Sequence, residues 1–297
     1  MILSKHFWNE EVYNALIHAI EDPTLHKQEK TAVFDFDNTL ILGDQGLNLM
    51  YDLILNQKIH AEQSWFWDEK NWQGISEEEK DKAYFLYQLS VKNPSVDLGI
   101  QLLDQFLIVF EYLEKKNLEM AYRWTKIFYA GFTVEELKQY SEESFKSALK
   151  KDFKFIDLPS GRQIQQGIRI NQAFYELIQI LTERDWDIYI ITASPEVAIQ
   201  AISKYWNLSE SQIIGMKLKL ENQILLPQIE EPYTYDQGKY LAFKNIVKKP
   251  IYIAGGDSYP DIYLLENSKL PIFLNHSFKE PLLKIAKEKK FYIQNLQ

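Results

Sequence analysis

Short apolar segments alternate with helical patterns along this chain, and the alternation is broken once, by a long helical stretch placed directly after the first strand. Residues 7–22 carry apolar side chains at helical spacing (Phe7, Val12, Leu16, Ile17, Ile20), and Thr31 to Asp37 then reads as a short buried strand, Ala-Val-Phe ahead of an acidic pair. The rhythm resumes after about residue 166. A helix is expected over 171–183, a strand over 188–192, a helix from Pro195 to Trp206 with Ser194 as its N-cap, a hairpin from Met216 to Leu226 turning at Glu221-Asn222-Gln223, a helix over 239–247, and strands over 251–254 and 271–275. Strands that alternate with helices pair in parallel and carry helices on both faces. The expectation is therefore an α/β doubly wound parallel sheet, formed by residues 1–44 and 166–297, with an all-helical domain inserted at 45–165.

The insertion has its own signals. Helical patterns cover 46–57, 76–91, 97–116 and 133–150, and two of them open with capping boxes, Ser76 with Glu79 and Thr133 with Glu136. Aromatic residues crowd this part of the chain, most simply as the core of a helical bundle. Trp65, Trp67, Trp72, Trp124 and Tyr129 are also the kind of surface that attracts an organic cation.

Composition excludes several classes. The 297 residues are 46% hydrophobic and 25% charged, enough for a sizeable core, and no cysteine is present, which removes disulfides, thiolate metal sites and cysteine nucleophiles. No apolar run reaches 18 residues, and the first residues lack a basic flank followed by an apolar stretch, so neither a membrane span nor a secretory signal is expected and the cytoplasm is the default compartment. A net charge of −9 argues against nucleic acid as a partner. Arginine is scarce (Arg123, Arg162, Arg169 and Arg184), so bidentate phosphate clamps are few.

Four places carry the chemistry. Asp35-Phe36-Asp37 sits at the carboxyl end of the first strand, where doubly wound sheets bind ligands. Alternation places both carboxylates on one side, and two acids that close call for a hard cation such as Mg²⁺. Thr192 ends the second main strand ahead of a helix start, a ready anion cradle. Lys239 follows Asp236-Gln237-Gly238 at another helix start, against the usual dipole preference for acids there. Gly255-Gly256-Asp257-Ser258-Tyr259-Pro260-Asp261 follows a strand and brings two further acids. Each has a plain alternative taken singly: a solvated turn, a helix cap, a surface lysine, a tight acidic turn.

Taken together, Asp-x-Asp-x-Thr at 35–39, the strand-ending Thr192, Lys239 and Gly-Asp-x-x-x-Asp at 256–261 resemble the four ordered motifs of the haloacid dehalogenase superfamily, across roughly residues 28–44 and 166–297. The resemblance implies an aspartyl-phosphate enzyme whose inserted helices form a cap over the site. Asp35 would be the nucleophile and Asp37 the acid and base. Asp35, Asp37 through its backbone carbonyl, and Asp257 would hold Mg²⁺. Thr192, Ala193 and Lys239 would hold the phosphoryl group, with Asp261 and Ser258 behind them. Dehalogenases of the family lack the second aspartate, so Asp37 points to a phosphatase. The run 190–196 and the run 233–239 are closest to the phosphoserine phosphatase-like branch, which includes phosphocholine and phosphoethanolamine phosphatases. Asp44 stands where that branch contacts a substrate amino group with a glutamate. The expected partner is a small phosphomonoester. A phosphotransferase or mutase on the same scaffold, or a silent interaction module, are the rival readings.

Overall fold

The computed structural model describes residues 2–276 and 280–295. The chain opens with α1 (Glu10–Glu21), β1 (Thr31–Phe34) and the two-residue β2 (Ile41–Leu42). Helices α2 (Gln45–Leu55), α3 (Glu77–Lys92), α4 (Val96–Lys116), α5 (Leu118–Trp124), α6 (Lys126–Tyr129) and α7 (Val134–Lys150) follow, then β3 (Lys154–Asp157), β4 (Gln163–Gln166) and β5 (Arg169–Ile170). After α8 (Gln172–Glu183) come β6 (Asp187–Pro195), α9 (Glu196–Gln200), β7 (Ile213–Met216), β8 (Leu218–Glu221) and β9 (Ile224–Ile229). The chain closes with α10 (Gln237–Ile246), β10 (Ile251–Gly256), α11 (Ile262–Glu266), β11 (Ser268–Asn275), α12 (Glu280–Glu288) and β12 (Tyr292–Asn295).

It divides into two compact units, one of 1–44, 169–216 and 232–297 and one of 45–168 and 217–231. The first is built on a six-stranded sheet in the order β12-β11-β10-β1-β6-β7, every neighbouring pair parallel. Its central strands are continuous apolar runs, with all four residues of β1 buried, as a sheet covered on both faces requires. The strand order reverses at β1, which pairs β6 on one side and β10 on the other. That is the switch point at which doubly wound sheets open a crevice beyond the carboxyl ends of their strands. The sheet is thus the expected α/β doubly wound fold. Strand β12 is not among the expected strands, because only Tyr and Ile of its short run Tyr-Ile-Gln-Asn favour a strand and no apolar–polar alternation marks it. The buried Gln294 secures it, accepting from the amide of Asn9 at 2.9 Å and donating to the carbonyl of Phe7 at 3.0 Å, which ties the start of α1 to the sheet edge.

The second unit holds the inserted helices. Thr133 and Glu136 form a full capping box on α7. Ser76 caps α3 from one side only, since the carboxylate of Glu79 turns to Gln105 instead. Its core is aromatic. Phe106 is fully buried, with ring centroids of Phe128 at 5.0 Å, Phe66 at 6.1 Å, Trp124 at 6.2 Å and Trp72 at 6.4 Å.

Two expectations are corrected. The hairpin 216–226 is present as β8 and β9, turning on Asn222 and Gln223, both at positive φ, but it belongs to the helical unit and not to the sheet unit. The reason is backbone pairing: Leu225 accepts from the amide of Gly131 and donates to the carbonyl of Phe132, each at 2.8 Å. The helix expected from Pro195 to Trp206 is only α9, followed by a separate turn at Ser203–Trp206. Ser194 is not its cap, because β6 runs on through Pro195. Among the described residues, no helix is long and apolar enough to cross a membrane.

Candidate active site

The site grows from the end of β1. The amide of Asp35 continues the ladder by donating to the carbonyl of Gly255 at 2.9 Å. The chain then leaves the sheet in a tight turn, in which the amides of Thr39, Leu40 and Ile41 all point at the carbonyl of Phe36. Phe36 is fully buried, its ring 5.1 Å edge-on to Trp206, and it anchors the segment in the core between the two aspartates. Asn38 adopts φ 57°, a left-handed conformation that asparagine tolerates. Its side chain accepts from the amide of Gly43 at 3.2 Å while its own amide donates to the Gly43 carbonyl at 3.0 Å, closing the loop on itself. His276, just past β11, bonds the carbonyl of Asn38 through Nε2.

Asp35 and Asp37 end in different company. Lys239 donates from Nζ to Asp35 Oδ1 at 2.5 Å and to Asp261 Oδ1 at 2.6 Å, and all three side chains are buried. Oδ2 of Asp37 instead accepts from Ser194 Oγ at 2.6 Å and Thr192 Oγ1 at 3.2 Å. The pairing of β6 with β7 slips between Ile191 and Pro195, and this irregularity carries Thr192, Ala193 and Ser194 off the ladder and re-aims the hydroxyls. Ser194 is the residue that sequence reasoning missed. Its position two after Thr192 was the available signal, but a serine ahead of Pro-Glu reads first as a cap.

The β10 end supplies the other acids. Asp261 is completely buried and both its oxygens are engaged: Oδ1 takes Lys239, and Oδ2 accepts from the amides of Asp257 at 3.2 Å and Ser258 at 3.0 Å and from Ser258 Oγ at 2.6 Å. Gly256 makes this possible, since a Cβ there would stand 2.5 Å from the Cβ of Asp261. Gly238 is required in the same way ahead of Lys239, where a Cβ would meet the carbonyl oxygen of Tyr233 at 1.7 Å. Carboxylate oxygens of Asp35, Asp257 and Asp261 lie within 4.8 Å of one another.

The electrostatics follow from that crowding. Burial, with the nearby charges of Asp261 and Asp37, pushes the Asp35 carboxyl up to about 8 even though Lys239 opposes the shift. Asp257 is raised well above the ordinary carboxylate range by burial and by the charges of Asp261 and Asp35. Burial alone would lower Lys239, but the carboxylates of Asp261 and Asp35 outweigh it and hold the ammonium charged. One lysine against four acids leaves the cluster short of positive charge. Hard oxygen donors at this spacing suit a divalent cation, and Asp35 and Asp257 are the acids whose oxygens are not consumed as those of Asp261 are.

The structure thus brings together Asp35, Asp37, Thr192, Lys239, Asp257, Ser258 and Asp261, drawn from four separate stretches of chain. Asp44 is half-buried immediately ahead of α2 and is not one of the clustered acids. Arg123, one of the four arginines, pairs with Glu119 and Glu231 within the helical unit.

No family model matches the chain, and no curated protein matches it by sequence. Among solved structures it is similar to a conserved, functionally unknown protein from Anaerococcus prevotii, with TM-score 0.79 and 18% identity over 98% of this chain and 93% of the other. It is also similar to a protein of unknown function from Bordetella pertussis, with TM-score 0.59 and 13% identity over 89% and 97%. A phosphoserine phosphohydrolase-like protein from Francisella tularensis is more distant, at TM-score 0.46 and 17% identity over 89% and 94%, and bears no weight on chemistry. The first two likenesses establish that this chain shares its fold with solved proteins.

Proposed function

We propose that this chain is a Mg²⁺-dependent phosphatase of the haloacid dehalogenase type, acting on a small phosphomonoester through an aspartyl-phosphate on Asp35. The observation that carries the reading is the asymmetry of the acidic pair. Asp35 is bonded to a buried lysine, as a nucleophile facing an anionic group needs, while Asp37 is held by two hydroxyls, as a proton carrier needs.

In the first step an oxygen of Asp35 attacks phosphorus and the phosphorus–ester oxygen bond breaks, while Asp37 gives its proton to the departing alkoxide. In the second, Asp37 takes a proton from a water that attacks phosphorus, the aspartyl–phosphorus bond breaks, and inorganic phosphate leaves with Asp35 restored. Lys239 and Thr192, with the backbone at Ala193, hold the phosphoryl oxygens, and Lys239 fixes Asp35 in place before substrate arrives. Asp261 and Ser258 keep Lys239 and the Asp257 loop in register. Asp35, Asp257 and the backbone carbonyl of Asp37 would hold Mg²⁺, which when bound supplies the positive charge that keeps Asp35 ionised and offsets the anionic substrate.

The substrate class is a phosphate ester of a small amino- or ammonium-bearing alcohol, such as phosphoserine, phosphoethanolamine or phosphocholine, with Asp44 meeting the nitrogen. The test is phosphate release from a panel of phosphomonoesters with and without a chelator. Release that requires Mg²⁺ and no added acceptor alcohol supports the reading. Release only when an acceptor is present would make the chain a phosphotransferase, and none under any condition would overturn it.

A further inference from the structure

The helical unit contains a cleft of about 700 Å³ whose walls include Trp67, Tyr84 and Tyr87. Their rings are set at differing angles. Tyr84 stands edge-on to Trp67, with centroids 5.0 Å apart and planes at 72°, and Tyr87 is tilted by 44° at 6.0 Å. Trp67 is fixed in place, because Nε1 donates to the carbonyl of Ala61 at 2.7 Å and the indole stacks on Trp72 at 5.2 Å. Tyr84 keeps 43% of its surface exposed.

Two carboxylates join the rings in this cleft, Glu62 and Asp81, and two lysines, Lys80 and Lys92. Glu62 accepts from His60 and Gln63 on Oε1 and is only partly buried, so its carboxylate is not enclosed by its partners. Its charge reaches the rings: after burial, it is the largest influence raising the Tyr87 hydroxyl above its ordinary value. Elsewhere in this chain lysines lie over tyrosine rings, as Lys116 does over Tyr112 at 4.2 Å. Among the described residues none lies over Trp67, Tyr84 or Tyr87, although Lys80 and Lys92 are within the same cleft. Long flexible stems keep such ammonium groups in water. The exposed side of Tyr84 is therefore left to a cation that is less well hydrated than lysine, with the carboxylate of Glu62 in the same cleft.

We infer that this cleft is a binding site for a small methylated or quaternary ammonium ion. The ring faces supply cation–π attraction, strongest for Trp, and Glu62 supplies the counter-charge. A quaternary nitrogen carries no N–H to satisfy, so the lack of a dense set of acceptors in the cleft is no obstacle. None of the cleft's residues is among the clustered residues of the sheet unit, so its binding can be tested without any phosphatase activity.

The test is calorimetric titration of the full chain with tetramethylammonium and choline, and with dimethylbutanol, the neutral carbon isostere of choline. Saturable binding of both cations is expected, with the neutral isostere about tenfold weaker, which corresponds to a cation–π contribution of about 1.4 kcal/mol. Tyr84→Ala and Glu62→Gln should each weaken the cations about tenfold, and Tyr84→Phe, which keeps the ring, should retain them. Tyr84 is exposed, so its removal leaves the core intact, and circular dichroism checks this. Asp35→Asn should bind as the unaltered chain does. Equal affinity for the isostere, no saturable heat, or undiminished binding by Tyr84→Ala would overturn the inference.

Discussion

Both units bury aspartate, and they do so in opposite ways. In the helical unit the buried Asp104 takes two bonds from Ser160, one from its amide and one from its hydroxyl. Each of its two oxygens meets a neutral donor, and among the described residues no ion pair involves it. At the carboxyl ends of the central strands, Asp35 and Asp261 converge on a single lysine, with Asp257 and Asp37 beside them, and two of these acids, Asp35 and Asp257, have their proton affinities raised. A fold that only needed to bury acids would treat them all as it treats Asp104. Burying them together lowers stability unless a cation or a substrate answers the charge, and that is the mark of a site and not of a scaffold.

The comparison can be broken by substitution, and the largest effect is expected at Asp35. Asp35→Asn should reduce turnover on the order of 10⁴-fold or more, as loss of a nucleophile does. Because it removes one of the crowded charges, the melting temperature at pH 8 should be unchanged or higher. A variant that loses both activity and stability would argue that Asp35 is structural, like Asp104.

The helical unit should respond in the opposite sense. Phe106 is the hub of the aromatic core, and Phe106→Ala should cost about 3–5 kcal/mol in denaturant unfolding, through lost contacts and a cavity. A loss under 1 kcal/mol, roughly the cost of an exposed site, would show that this core is loosely packed.

A smaller effect separates the two regions by pH. The Asp35 carboxyl has an ordinary value of 3.8 and is raised to about 8 in the folded chain. Between those values the folded form holds a proton that the unfolded form has released, so stability should decline as pH rises, by up to about 1.4 kcal/mol per pH unit. Mg²⁺ competes with that proton, so the rise in melting temperature on adding Mg²⁺ should be larger at pH 8 than at pH 6. An equal or smaller rise at pH 8 would place the cation elsewhere. The smallest effect is expected at Ser194. Ser194→Ala removes one of two hydroxyl donors to Asp37 and should lower kcat about tenfold with little change in melting temperature, in line with about 1.5 kcal/mol for a hydrogen bond to a charged group. Unaltered kcat would mean that Thr192 alone positions Asp37.

Much of the sheet unit was legible in the sequence, because its strands are short apolar runs bounded by the residues that do chemistry. Asp35, Thr192, Lys239 and Asp257 could be placed at strand ends and helix starts from local pattern alone. What local pattern does not contain is where a segment finds its partners. The hairpin β8–β9 reads as part of the sheet region by order, and only its backbone bonds to Gly131 and Phe132 assign it to the helices. Ser194 reads as a cap until the irregularity in β6 turns its hydroxyl onto Asp37. Strand β12 and the short helices α5 and α6 are likewise products of tertiary contact. The aromatic residues of the insertion were legible as a core, and the structure sorts them: Trp72, Trp124 and Tyr129 are buried, while Trp67 reaches an open cleft.

The most direct measurement asks where the phosphoryl group goes. The chain is mixed with a phosphomonoester that it hydrolyses and with Mg²⁺, quenched in acid within one turnover, digested with pepsin and examined by mass spectrometry. The account predicts a phosphoryl mass on the peptide containing Asp35, absent in Asp35→Asn and lost on standing at neutral pH. A phosphoryl group on any other residue, or full turnover by Asp35→Asn, would contradict it.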